Sequence, residues 1–192
     1  MASSHSNISS WTWEDYHRCV HGYLDTFQGN ISAETLVLYP DGVETPEYQY
    51  TTLTTDVRIT CPTNIMADIL STYFKSPVYR YVLQQRPSYP VETEAGIQFK
   101  ARYSYHNWDS VGFFGIISDY YTPTKEDRIY EQMIQREILH FARTGKPYTD
   151  NWKTYPANIG LLDANVTVVN SYHAEMCKFW DDNNFFSYGW VN

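Results

Sequence analysis

The sequence feature that most constrains the fold is a long amphipathic helix in the second half of the chain. Thr124 and Asp127 form a capping-box pattern at its start, and Gly145 marks its end. The apolar residues between them recur at spacings of three and four and share one helix face: Ile129, Tyr130, Met133, Ile134, Ile138, Phe141 and Ala142. At 192 residues the chain is large enough to bury a core.

Two further helices are predicted before Pro40. Thr12 and Asp15 form the capping box of the first helix, which is expected to end at Gly29. Its apolar face is predicted to contain Trp13, Tyr16, Val20, Tyr23, Leu24 and Phe27. Ser32 is the predicted N-cap of a second, short helix that the turn after Pro40 cuts off.

The middle and end of the chain combine helix and strand patterns. Residues 51–60 are rich in β-branched side chains, and both a strand and a connector remain open for them. Pro62 begins a predicted helix with the apolar residues Ile65, Met66, Ile69, Leu70 and Tyr73. Strands are predicted at residues 78–83 and 166–169, and a terminal helix at residues 172–180. No repeat or linker divides the chain, so a single domain over residues 1–192 is expected.

Composition excludes several classes of function. The formal charge of −8 and pI near 5.1 leave no basic surface for phosphates, so nucleic acid is not expected as a partner. No apolar run reaches the roughly 18 residues of a membrane helix, and residues 1–10 lack the apolar core of a signal peptide. Glu14, His17 and His21 share a predicted helix face, but a solvated face explains them better than a metal site. No cofactor or metal is predicted.

Several landmarks, in the same order, resemble type-B carboxylesterases and cholinesterases. The segment from His106 to Gly115, His-Asn-Trp-Asp-Ser-Val-Gly-Phe-Phe-Gly, resembles the loop that carries the catalytic histidine of that family. The other landmarks are Cys61-Pro62-Thr63, the strand region 78–86, Phe141-Ala142-Arg143-Thr144-Gly145-Lys146-Pro147, the pair Trp152 and Tyr155, and Cys177-Lys178-Phe179-Trp180. The resemblance is strongest over residues 56–180.

This resemblance implies an α/β fold, namely the C-terminal part of an α/β-hydrolase with a few sheet strands flanked by helices. It implies that His106 is the catalytic general base and acid. The chain contains no Gly-x-Ser-x-Gly, so the serine nucleophile, the acid and the oxyanion hole would belong to an upstream segment. Asp109 matches a supporting position in the family rather than the triad acid.

The resemblance also implies a disulfide between Cys61 and Cys177, which would leave Cys19 unpaired. On the chain-entropy model such a long loop is worth about 4 to 5 kcal/mol. The alternative is three reduced thiols, expected in a reducing compartment. Glycosylation sequons begin at Asn7, Asn30 and Asn165. Together these features favour a secreted or lumenal parent protein, with a cytoplasmic location as the alternative.

The sequence is compatible with two functions. In the first, the chain is the C-terminal part of a carboxylic-ester hydrolase and acts on small-molecule esters once the upstream half is present. In the second, it is a cholinesterase-like module without catalysis, which serves binding or adhesion. Association into a homo-oligomer is left open under both.

Overall fold

The structure is a computed structural model that describes residues 7–27, 30–93 and 99–185. The chain forms two compact units. Of the described residues, unit 1 contains 7–27, 30–62, 99 and 175–185, and unit 2 contains 63–93 and 100–174.

Unit 1 begins with helix α1, Trp13–Leu24, which has the predicted capping box. The Thr12 side chain accepts the N–H of Asp15, and the Asp15 carboxylate accepts the N–H of Thr12. Tyr16, Val20 and Leu24 are buried as predicted, but Phe27 lies beyond the helix and is exposed. The predicted end at Gly29 lies outside the described residues.

The next helices correct two expectations. Helix α2, Ile31–Leu38, has Asn30 at its N-cap position, so the prediction of Ser32 there was wrong. Ser32 is buried inside the helix, where its hydroxyl lies 2.8 Å from Nδ1 of His21. Helix α3, Pro46–Thr55, continues into a π-helical turn, Asp56–Thr60. The strand reading of residues 51–60 is therefore wrong, because all ten residues are helical.

The core of unit 1 joins the first helices to the end of the chain. In helix α7, Ala174–Asp182, the buried indole of Trp180 donates to the Tyr39 hydroxyl at 3.0 Å, and that hydroxyl donates to Asp56 at 3.0 Å. A disulfide joins Cys61 to Cys177 with 5.1 Å between the α-carbons, as the resemblance implied, and Cys19 is outside it. The core residues are Tyr16, Val20, Leu24, Ile31, Tyr39, Leu53, Cys61, Trp180 and Phe185.

Most of unit 2 consists of three helices and three strands. Helix α4 spans Cys61–Tyr73 and its first two residues belong to unit 1. Helix α5 spans Trp108–Phe114, and helix α6 spans Lys125–Thr144. Helix α6 has the predicted Thr124–Asp127 capping box and ends at Gly145, whose φ of 72° is left-handed. Because helix α6 alone spans 20 residues, it provides most of the helical surface for the core.

The strands form one mixed sheet. Strand β1, Arg80–Leu83, is shorter than the predicted 78–83, and strand β3, Val166–Val169, has the predicted bounds. Strand β2, Ile159–Leu162, was not predicted and lies between them, parallel to β1 and antiparallel to β3. The predicted α/β class, a few strands flanked by helices, is confirmed.

The core of unit 2 joins helices α5 and α6 to the sheet. Its buried residues are Trp108, Val111, Ile117, Tyr130, Met133, Ile134, Trp152 and Leu162. The predicted apolar residues of α4 behave differently, since Met66 is 44% exposed and Tyr73 79% exposed. Within the described ranges, every helix is too short or too polar to cross a bilayer.

Candidate functional site

His106 lies in a four-residue turn that leads into helix α5. The turn is closed by the N–H of Trp108, which donates to the carbonyl of Tyr105 at 3.0 Å. Asn107 occupies its third position with φ 70° and ψ 6°, a left-handed conformation that asparagine tolerates better than most residues. His106 occupies the second position and is exposed. The turn therefore presents the imidazole to solvent at the N-terminal end of α5.

Three aromatic rings in contact support this turn from the side of the core. The rings of Tyr105 and Trp108 lie 5.3 Å apart, and the ring of Trp108 stacks on that of Tyr130 with 6.1 Å between centroids and an angle of 14°. The Tyr130 hydroxyl donates to the carbonyl of Trp108 at 3.0 Å. Both Trp108 and Tyr130 are fully buried. A turn on the surface is thus fixed by the core of unit 2.

Gly112 leaves the space that the Tyr130 ring fills. A Cβ atom built on Gly112 would lie 2.8 Å from Cζ of Tyr130, closer than side chains approach in practice. Helix α5 and helix α6 can therefore approach each other closely at this point.

Asp109 supports the fold rather than the imidazole. Its carboxylate accepts the Tyr81 hydroxyl of strand β1 at 2.8 Å and the N–H of Ser110 at 2.8 Å. Burial, and then this hydrogen bond to a carboxylate, raise the pKa of Tyr81, so the phenol stays a donor. The carboxylate thus ties the first turn of α5 to the sheet, in agreement with the supporting role expected from the sequence.

The imidazole of His106 makes no hydrogen bond or ion pair with any side chain in the described ranges. An exposed imidazole can accept and return a proton, but it needs a nucleophile beside it for acyl transfer. Neither a serine nor a carboxylate is held against it by the residues that the structure describes. Among the described residues, the arrangement therefore contains one group able to transfer a proton and not a complete catalytic site.

The alternative metal face on α1 is divided among separate partners. Glu14 pairs with Arg18 at 3.1 Å, and His17 lies 2.7 Å from Asp41. Nδ1 of His21 lies 3.1 Å from Asp25 and 2.8 Å from the Ser32 hydroxyl. In the described part of the chain, no group of three histidine, cysteine or acidic side chains is arranged to hold a metal.

The three sequon asparagines are exposed in different settings. Asn7 caps a short 3₁₀ turn, Ile8–Ser10, and its side chain accepts the Ser9 hydroxyl at 2.7 Å. Asn30 begins helix α2, and Asn165 lies in the tight turn between β2 and β3.

Sequence reasoning did not identify the partners of the His106 turn. Tyr130 was predicted on the apolar face of α6, but periodicity does not show which element that face contacts. Gly112 offered one signal, since a glycine within a helix often marks a close approach. Tyr105 and Tyr81 carried no distinguishing pattern in a chain with 18 tyrosines.

The chain was compared with protein-family models, with curated protein sequences and with solved structures. A family model described as "Carboxylesterase family" matches residues 4–180. No curated protein sequence matches the chain.

Solved esterases share the fold at low sequence identity. A PNB esterase aligns over 92% of this chain with a TM-score of 0.56 and 21% identity, and a thermophilic PNB esterase over 92% with 0.57 and 21%. An esterase from anaerobic Clostridium hathewayi, described as able to hydrolyze aliphatic aromatic polyesters, aligns over 93% of this chain with a TM-score of 0.61 and 16% identity. The aligned part is 34%, 35% and 34% of these proteins. The chain thus has part of an α/β-hydrolase fold and spans about a third of their length.

Proposed function

Because the chain belongs to the carboxylesterase family, we propose that it is the C-terminal part of a carboxylic-ester hydrolase and supplies the triad histidine. The observation that carries the proposal is the exposed His106 on a turn fixed by buried aromatic rings. The serine, the acid and the oxyanion donors come from an upstream segment or a separate chain. The complete enzyme is proposed to act on small-molecule esters.

In this mechanism His106 transfers one proton in each half of the reaction, first from serine to the leaving alkoxide and then from water to the serine oxygen. The imidazole takes the proton of the serine hydroxyl as the serine oxygen attacks the ester carbonyl, and the upstream donors stabilise the oxyanion. The imidazolium then gives that proton to the leaving alkoxide, so an alcohol departs and an acyl-serine remains. Water attacks the acyl group with the same imidazole as base, which releases the carboxylic acid and restores the serine.

The disulfide and the glycosylation sequons bear on the compartment in which the protein resides. The disulfide is consistent with a secreted or lumenal protein, because such bonds persist in oxidising compartments. We include glycosylation at Asn7, Asn30 and Asn165 in the proposal, since all three side chains are exposed.

The test uses the esterase-active protein that contains this chain. We expect His106→Gln to lower kcat for p-nitrophenyl acetate by at least about 10³-fold, because it removes both proton transfers. His140→Gln is the matched control, since His140 Nδ1 lies 3.0 Å from a backbone carbonyl, that of Lys146, and has no proposed role in catalysis. Equal activity of the two variants would contradict the proposal that His106 is the triad histidine.

A further inference from the structure

We propose that Tyr130 is a positioning residue that sets the orientation of His106 from the opposite side of the aromatic stack. This inference rests on the proposed function of His106. Helix α6, which carries Tyr130, would thereby help to position a residue that lies outside it.

The geometry gives Tyr130 two separate contacts with the turn. Its ring stacks on Trp108, and its hydroxyl donates to the Trp108 carbonyl at 3.0 Å. Trp108 closes the turn through the 3.0 Å bond from its N–H to Tyr105, so a shift of Trp108 moves His106 with it. Burial raises the pKa of Tyr130, and its hydroxyl therefore remains a donor throughout the working range of an esterase.

The rest of the stack offers little else to fix the turn. The Trp108 indole nitrogen and the Tyr105 hydroxyl are buried without a hydrogen-bond partner in the described ranges. Asn107 makes no side-chain cap to helix α5. The Tyr130 hydroxyl therefore provides the side-chain hydrogen bond to Trp108 itself, while Asp109 ties the neighbouring residue of the helix to strand β1.

Gly112 completes the arrangement because it makes room for Tyr130. The ring occupies the position where a side chain at residue 112 would begin, with Cζ at 2.8 Å from that point. The effects of substitutions at the two positions should therefore depend on each other. A larger residue at 112 should disturb the turn more when the tyrosine ring is present than when it is absent.

Kinetics of the esterase-active protein test the positioning role. We expect Tyr130→Phe to lower kcat about 3- to 10-fold with KM unchanged. This range corresponds to the free energy of one hydrogen bond, here the bond that helps to hold the imidazole in its orientation for the reaction. Tyr16→Phe is the matched control, because the buried Tyr16 hydroxyl also donates to a backbone carbonyl, that of Tyr39, at 3.0 Å. Equal effects of the two variants on kcat, or a change in KM alone, would overturn the proposal.

A second pair of variants tests the coupling to Gly112. Gly112→Ala should lower kcat strongly in the presence of Tyr130 and by a smaller factor in the Tyr130→Leu background. Equal factors in both backgrounds would contradict the geometry.

Hydrogen exchange separates this inference from the proposed function. In the esterase-active protein, Tyr130→Phe should accelerate exchange of the Trp108 amide and Tyr16→Phe should not. If His106→Gln is fully active, the proposed function fails, and accelerated exchange would still show that Tyr130 holds the turn. Unchanged exchange at Trp108 would overturn the inference whatever the kinetics.

Discussion

At the scale of single residues, buried polar groups in unit 2 hold loops that carry no regular structure. Glu137 on helix α6 is buried and accepts the N–H groups of Tyr148 and Thr149 at 2.8 and 3.2 Å, and the Thr149 hydroxyl at 2.8 Å. The segment after Gly145 thus packs on the helix through one carboxylate. Tyr148 and Thr149 directly follow the landmark that runs from Phe141 to Pro147.

Removal of this carboxylate should destabilise the protein. We expect Glu137→Ala to lower the free energy of unfolding by about 2 to 4 kcal/mol, because three donors lose their acceptor inside the protein. Glu14→Ala is the control, since Glu14 is a solvated residue of α1. Urea unfolding of both variants checks the prediction, and equal midpoints would contradict it.

A second residue prediction concerns the close approach of Trp152 to strand β2. A Cβ atom built on Gly160 would lie 2.7 Å from Cε2 of the indole. We expect Gly160→Ala to cost about 1 to 3 kcal/mol, because both the central strand and the buried ring resist displacement.

Gly22→Ala is a control with an expected effect of opposite sign, since no atom lies within 4 Å of a Cβ atom built on Gly22. In the interior of helix α1 that change should stabilise the protein by about 0.5 to 1 kcal/mol. Thermal unfolding distinguishes the two signs, and a stabilised Gly160→Ala variant would refute the packing account.

At the scale of elements, the two capping boxes differ in their environment. Asp127 of helix α6 is fully buried and also accepts the Tyr121 hydroxyl at 3.0 Å, in addition to the N–H of Thr124 at 2.9 Å. Asp15 of helix α1 makes the same capping contact on the surface, and that backbone hydrogen bond lowers its pKa.

We expect Asp127→Ala to cost about 2 to 3 kcal/mol, because the cap and the Tyr121 contact are both lost. Asp15→Ala, with the matching cap in solvent, should cost clearly less. Chemical denaturation of the two variants measures the difference. A larger loss in Asp15→Ala would show that burial of the second cap adds nothing.

The elements that sequence predicted are those whose signals are local. Both capping boxes and the Gly145 end of α6 were found because these contacts lie within a few residues. Strand β2 was missed because it owes its place to pairing on both sides and to the Trp152 ring on Gly160. The β-branched segment 51–60 became helical because tertiary packing outweighs weak strand propensity.

In the candidate site, too, local sequence signals were recognised and tertiary contacts were not. His106 was predicted as the catalytic histidine because its flanking residues resemble a family segment, and the contacts of Asp109 with Tyr81 and Ser110 agree with the supporting role expected for it. Tyr130 and Gly112 were not recognised, because their meaning depends on the contact of α5 with α6, far apart in sequence.

At the scale of the whole molecule, unit 2 leaves apolar side chains and one sheet edge uncovered among the described residues. Helix α4 exposes Met66, Ile69 and Tyr73 in one row, and strand β1 lies at the edge of the described sheet. Apolar rows and unpaired edges favour association in water. The proposed upstream half would cover such surface.

We therefore expect the isolated chain to be oligomeric or partly unfolded, and monomeric only with its complement. Light scattering after size exclusion gives the mass, and hydrogen exchange reports on β1. Ile69→Gln with Tyr73→Gln should reduce association, whereas Val37→Gln, at another exposed apolar residue, should not. A monomer with well-protected β1 amides would show a self-sufficient domain and favour the non-catalytic alternative.

The central claim is that His106 works with a serine that this chain does not contain. The most direct measurement is fluorophosphonate labelling of the native protein followed by intact mass of the labelled species. We expect one labelled serine, in a Gly-x-Ser-x-Gly, in a polypeptide or complex well above 22.5 kDa. A native protein of 22.5 kDa that neither takes up the label nor associates with a labelled chain would contradict the account.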